Sequence, residues 1–261
     1  MLLENKNAVI YGGGGSIGGA VAREFSREGA CVFLVGRTRE PLETVANDIE
    51  ADGGDAGVAV LDALDEQAVD EHAQAMVSQS GSIDLSFNLI TRGDVQGMPL
   101  INMTTDDLLR AVVNGLRSNF ITARAAARRM VERGSGVILA LDSGSANGSP
   151  MMGSTGPADA ATDTFIRNLA AEIGPQGVRV VGIWTAGLPE TFSREKLAAV
   201  DSKFQDEAAF QGLIEDLDQM RMTRRSPQLA EVAGTAAFLA SEKAGAITGT
   251  FVNVTSGTFP S

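Results

Sequence analysis

Chemistry-bearing side chains are scarce in this chain: its 261 residues hold one cysteine, one histidine, one tyrosine and one tryptophan. A lone cysteine excludes an internal disulfide and a cysteine-rich zinc site, and no metal-binding constellation is indicated. Cys31 lies in the apolar run ACVFLVG, where a buried strand residue is expected. The one histidine, His72, lies in the polar amphipathic stretch DEQAVDEHAQAMVSQSG. That pattern predicts a solvated helix position and leaves no base for Ser-His-Asp hydrolysis. No run of about 18 apolar residues occurs, and the start, MLLENKN, has neither a basic nor an apolar signal region. Neither a membrane span nor a secretion signal is indicated, and the expected compartment is the cytoplasm. Positive charge is also short: 21 Lys and Arg against 33 Asp and Glu give a formal charge of -12. A surface of that sign repels nucleic acid and anionic lipid.

What the chain does have is apolar runs at wide spacing: residues 7–11, 31–35, 57–61, 85–90, 136–141, 178–183 and 250–254. Rich in Val, Ile and Leu, they read as strands buried on both faces. Between them apolar residues recur at helical spacing, as in Ile17, Val21 and Phe25, or Leu109, Val112, Val113, Leu116, Phe120 and Met130. Alternating strands and crossover helices predict an α/β fold with a doubly wound parallel sheet. Thr104 with Asp107 reads as a helix start, and Gly29, Gly134 and Gly174 as helix ends. No repeat or low-complexity linker interrupts the pattern, so residues 1–261 read as a single domain. The acidic, helix-prone stretch 188–226, between the sixth and seventh strands, is expected to form a lid over a ligand crevice.

The stretch YGGGGSIGGA, residues 11–20, follows the first strand and opens the first helix. Gly12 allows a tight turn, Gly14 and Gly15 admit close backbone approach, and Gly18 lets the helix pack on the sheet. Free N–H groups at that helix start, from Ser16 and Ile17 onward, suit a pyrophosphate. The second strand ends in VGRTRE, without the acid that accepts a ribose 2′-hydroxyl. Arg37 there suits a 2′-phosphate, which favours NADP(H) over NAD(H). Asp62, after the third strand, either bonds an adenine amino group or caps a helix.

These residues resemble the short-chain dehydrogenase/reductase family over essentially the full length, which implies a Rossmann-like domain. The family's Gly-x-x-x-Gly-x-Gly element resembles Gly12 to Gly18, with Ser16 in place of the middle glycine. Its Asn-Asn-Ala-Gly tetrad is matched by Asn88 alone, its helix-four asparagine by Asn114, and its strand-five serine by Ser143. Its Pro-Gly-x-x-x-Thr stretch is similar to Ala186, Gly187 and Thr191. The resemblance assigns Asn88, Gly187 and Thr191 to the cofactor and Ser143 and Asn114 to catalysis. The family's proton-transferring Tyr and Lys fall on Thr155 and Asp159, and residues 134–195 contain neither Tyr nor Lys. A threonine hydroxyl is too weak an acid to replace the phenol. Asp159 is expected either to accept ribose hydroxyls and favour the oxidised cofactor, or to serve its helix dipole with Asp163. Asp142 is expected either at the crevice rim or as a strand-end cap.

Three readings follow: an NADP-dependent oxidoreductase of a carbonyl or alcohol with an atypical active site; a non-redox isomerase, dehydratase or cyclase; or a silent nucleotide-binding or scaffold subunit. The first is preferred, with an unidentified small-molecule substrate. The family's habit of pairing through the helices near 104–133 and 157–174 implies a homodimer or homotetramer.

Overall fold

The structure, a computed structural model, describes residues 1–198 and 202–259. Seven strands form one parallel sheet: β1 (Asn7–Tyr11), β2 (Cys31–Gly36), β3 (Ala56–Val60), β4 (Leu85–Asn88), β5 (Gly136–Asp142), β6 (Val178–Thr185) and β7 (Phe251–Val254). Their spatial order is β3-β2-β1-β4-β5-β6-β7. All seven coincide with the apolar runs, because a strand covered on both faces needs apolar side chains at odd and even positions alike. In β1, Ala8 and Ile10 face one core while Val9 and Tyr11 face the other. The first core is closed by α1 (Ser16–Arg27), α2 (Arg39–Ala51) and α8 (Leu229–Ala240), the second by α3 (Glu66–Ser80), α4 (Thr105–Arg133) and α5 (Thr155–Ile173).

The chain runs outward from β1 to β2 and β3, then returns to place β4 on β1's other side. Neighbouring connections therefore diverge above the carboxyl ends of β1 and β4, which opens a crevice there. Tyr11 ends β1, buried at 1% exposure; it does not belong to the glycine loop. Burial, and to a lesser extent the Asp70 charge, pushes its phenol well above the ordinary range, so it supplies no proton.

Thr104 caps α4 by accepting the Asp107 N–H at 3.1 Å, and Gly134 ends that helix at φ +72°. Gly174 closes α5 as expected, standing as its C-cap with right-handed backbone and passing the chain into a short 3₁₀ turn that ends at Gly177, φ +81°. A Cβ at Gly177 would lie 2.1 Å from the Gly134 carbonyl oxygen, so the close approach of these two turns fixes glycine there. Cys31 is half-buried, with its thiol donating to Asp55 at 3.4 Å. Burial and that carboxylate push it up to about 12, which leaves it unreactive. His72 lies on α3 as expected but is largely turned inward, its Nδ1 buried without a partner among the described residues and its pKa lowered by burial.

The expected lid contains α6 (Arg194–Ala198) and α7 (Glu207–Met220); its residues 199–201 lie outside the described residues. No α7 residue is fully buried, and Met220 and Met222 are exposed.

Candidate active site

A cavity of about 520 Å³ lies over the carboxyl ends of β1 to β4. Its floor is the glycine loop. Gly12 has φ +82°, and a Cβ there would stand 2.6 Å from the Leu89 carbonyl oxygen. At Gly18 a Cβ would stand 2.1 Å from the Gly12 carbonyl oxygen, so only glycine lets α1 start this close beneath the loop. Gly14 and Gly15 line the cavity directly. Gly15 is the N-cap of α1, and no side chain caps the helix. The first-turn N–H groups, including those of Ser16 and Ile17, thus lack a capping side chain at the positive end of the helix dipole. These features fit a pyrophosphate.

At one end of the cavity stand Arg37 and Asp62. Arg39 is engaged by Glu43 at 3.2 Å, whereas Arg37 is exposed on the rim and has no ion-pair partner among the described residues. Asp62 does not cap α3; Asp65 does, accepting the Ala68 N–H at 3.1 Å. One Asp62 oxygen accepts the Leu64 N–H at 3.0 Å, which holds the turn along the cavity wall.

The other end is formed by the segment after β4 and by Asn114 of α4. Asn88 is buried; its amide donates to Ser118 at 3.1 Å and its carbonyl accepts the Ile90 N–H at 3.3 Å, so it shapes that segment from behind. Asn114 lines the cavity and donates to the Arg92 carbonyl at 3.2 Å. Gly187 and Thr191 lie beyond β6 and do not line this cavity; the Thr191 hydroxyl donates to the Leu188 carbonyl at 2.8 Å.

Ser143, Thr155 and Asp159 come together, but facing inward. Asp159 is 0% exposed. Its Oδ2 accepts the Ser143 N–H at 3.2 Å, the Ser143 hydroxyl at 2.6 Å and the Ser145 N–H at 2.9 Å. Its Oδ1 accepts from Arg92 Nη1 at 2.8 Å. The expectation that this carboxylate receives ribose hydroxyls is corrected: protein donors occupy both oxygens. Thr155, 2% exposed, accepts from the Gln96 side-chain amide at 2.9 Å. The segment carrying Arg92 and Gln96 is pinned from both sides, Val95 N–H donating to Ser154 Oγ at 3.0 Å and Gly97 N–H to the Met151 carbonyl at 2.8 Å.

Arg92 and Gln96 are absent from the residues read off the sequence. Their only signal is placement, since TRGDVQ follows a strand whose carboxyl end faces the crevice. Arg92 donates twice to Asp94, from Nε at 3.3 Å and Nη2 at 2.8 Å, besides its bond to Asp159. Burial works against its charge, but the two carboxylates more than offset this and raise its pKa.

Of its two expected places, Asp142 takes the strand-end cap. It caps the end of β5, its Oδ1 accepting the Gly144 N–H at 3.2 Å, and it is buried away from the cavity wall. Its Oδ2 is buried, and no donor among the described residues is aimed at it. Burial, then the charges of Asp159 and Asp163, push its carboxyl up to about 9, so it is a neutral acid at neutral pH. Asp163 accepts from Trp184 Nε1 and from Arg167 Nη2, each at 3.2 Å. Trp184 stacks on Phe251 with ring centroids 5.7 Å apart and packs beneath the site.

Residues 13–258 match a family model described as Enoyl-(Acyl carrier protein) reductase. The chain belongs to the short-chain dehydrogenase/reductase family. L-rhamnose 1-dehydrogenase (NAD(P)(+)) of Azotobacter vinelandii is 33% identical, over 99% of this chain and 98% of that protein. The 7alpha-hydroxysteroid dehydrogenase of Escherichia coli is 28% identical over 98% and 94%. Among solved structures, NAD+-bound xylitol dehydrogenase superposes with a TM-score of 0.87 at 23% identity, covering 98% of this chain and all of that one, a likeness of fold. A gluconate 5-dehydrogenase from Burkholderia cenocepacia in complex with NADP and tartrate does so at 0.84 and 25% identity, over 98% and 96%. The chain is an NAD(P)-dependent oxidoreductase of the short-chain type. No helix among the described residues is long and apolar enough to cross a membrane.

Proposed function

We propose that this short-chain dehydrogenase/reductase binds NADP(H) in the glycine-loop cavity and interconverts a small alcohol and its carbonyl in the cytoplasm. The observation that carries the cofactor choice is Arg37, exposed on the cavity rim without an ion-pair partner among the described residues, beside an uncapped α1. Arg37 pairs with the 2′-phosphate, the first turn of α1 receives the pyrophosphate, and Asp62 holds the adenine side. When bound, the nicotinamide supplies or accepts the hydride. Asn114 fixes the backbone at Arg92 and so shapes the end of the cavity where the nicotinamide half lies.

The activities of the relatives, on a sugar and a hydroxysteroid, support an alcohol and carbonyl pair as substrate. The test is nicotinamide absorbance during incubation with NADP+ or NADPH and panels of sugars, polyols and hydroxysteroids. NADP-linked turnover of any of them supports the reading; turnover with NAD(H) alone contradicts the cofactor choice. A second reading, cofactor binding without turnover, is favoured by the burial of Thr155 and Asp159 beneath the segment that carries Arg92 and Gln96. Tight NADP binding with no turnover on any panel selects it. Product formation with unchanged nicotinamide absorbance selects the non-redox alternative.

The same proposal includes self-association through α4. Leu109, Val113, Leu116 and Phe120, spaced four, three and four residues apart, form an exposed apolar stripe on that helix.

A further inference from the structure

The inner end of the site carries the carboxylate of Asp159, in the second turn of α5. The positive charge comes from elsewhere. Arg92 projects from the segment after β4 and lines the cavity at the end opposite Arg37 and Asp62. The glycine loop lies between these ends, so a dinucleotide with its pyrophosphate on that loop and its adenosine toward β2 and β3 carries its other ribose toward Arg92. A guanidinium has five N–H donors. Three donate to Asp94 and Asp159, which leaves two for a ligand.

Four independent features place this one side chain. Asp159 and Asp94 fix its guanidinium, Asn114 holds its backbone carbonyl, and Gly115 makes room for its stem. A Cβ at Gly115 would lie 2.6 Å from Arg92 Cδ. Asp159, fully buried and hydrogen-bonded on both oxygens, is then the counter-ion that orients Arg92.

We propose that Arg92 is a cofactor-contacting residue that donates hydrogen bonds to the neutral ribose hydroxyls of the nicotinamide half, with Asp159 as its positioning partner. Hydroxyl oxygens suit it better than an anion because two carboxylates already balance its charge. The inference rests on NADP(H) binding in this cavity and adds the residue that reads the second ribose.

Calorimetric binding of NADP+ and of adenosine 2′,5′-bisphosphate, which lacks the nicotinamide half, separates the two claims. Two variants are titrated beside the wild-type chain: Arg92→Gln with Asp159→Asn, which removes both charges while keeping polar groups, and Gly115→Ala, which crowds the Arg92 stem and leaves both charges. Each is expected to weaken NADP+ at least tenfold while leaving adenosine 2′,5′-bisphosphate within twofold of the wild-type value. Unchanged NADP+ affinity in both variants, or equal loss of both ligands, overturns the role of Arg92. Wild-type chain that binds neither ligand overturns the NADP(H) reading itself, and wild-type binding of the bisphosphate without NADP+ overturns Arg92 as a contact.

Discussion

Replacing Asp142 by asparagine turns the buried acid at the end of β5 into a test of how the folded state handles protons. Asp142 is held as a neutral acid, with its carboxyl at about 9 in the folded chain against 3.8 for an ordinary aspartate. Above pH 4 the unfolded chain releases this proton while the folded chain keeps it. Folding therefore takes up a proton, and stability falls as pH rises through the window from about 4 to about 9. The slope for one such proton is at most about 1.4 kcal/mol per pH unit. The neighbouring charges of Asp159 and Asp163 add to burial in keeping Asp142 neutral. A difference of about 1 to 3 kcal/mol between pH 5 and pH 7 follows. Asparagine cannot ionise, and its carbonyl still accepts the Gly144 N–H. Urea denaturation of both proteins at pH 5, 6, 7 and 8 gives the contrast directly, since unrelated groups cancel between them. The Asn variant should gain on the wild-type chain steadily as pH rises. A stability difference that stays constant over this range would refute a neutral Asp142.

Two further outcomes are expected. Gly18→Ala sets a methyl group 2.1 Å from the Gly12 carbonyl oxygen, a backbone atom that cannot swing aside, so NADP+ affinity should fall at least about tenfold, or 1.4 kcal/mol, by calorimetry. Phe120→Glu places a charge on the exposed apolar stripe of α4, and sedimentation should show a shift from oligomer toward monomer; an unchanged sedimentation coefficient would sink the α4 interface.

The fold was legible because its signals are local and repetitive. Each strand is an apolar run, and the turn that needs glycine at Gly134 follows a helix whose periodicity stops there. The glycine loop was legible for a related reason, since Gly18 meets a constraint set by Gly12 six residues before it, although Gly12 itself is also crowded by the distant Leu89 carbonyl. Gly174 was legible as the end of α5, while the left-handed turn falls at the later glycine, Gly177. The inner end of the site was not legible. Asp159 and Arg92 are 67 residues apart in sequence, and no motif spacing announces that one will neutralise the other. Ser143, Thr155 and Asp159 were found by family resemblance, yet only the folded chain shows their donors and acceptors turned on one another and on Gln96. Asp142 shows the same limit, for a carboxylate at a strand end reads as a rim or as a cap until its burial is known.

Calorimetric titration of NADP+, NADPH, NAD+ and NADH into the wild-type chain and an Arg37→Ala variant tests the proposed cofactor site most directly. The 2′-phosphorylated forms should bind at least about tenfold more tightly than their counterparts, a gap of about 1.4 kcal/mol. Arg37→Ala should close that gap and leave NAD+ and NADH unchanged. Equal affinity for all four, or binding of none, would contradict an NADP(H) site at the glycine loop.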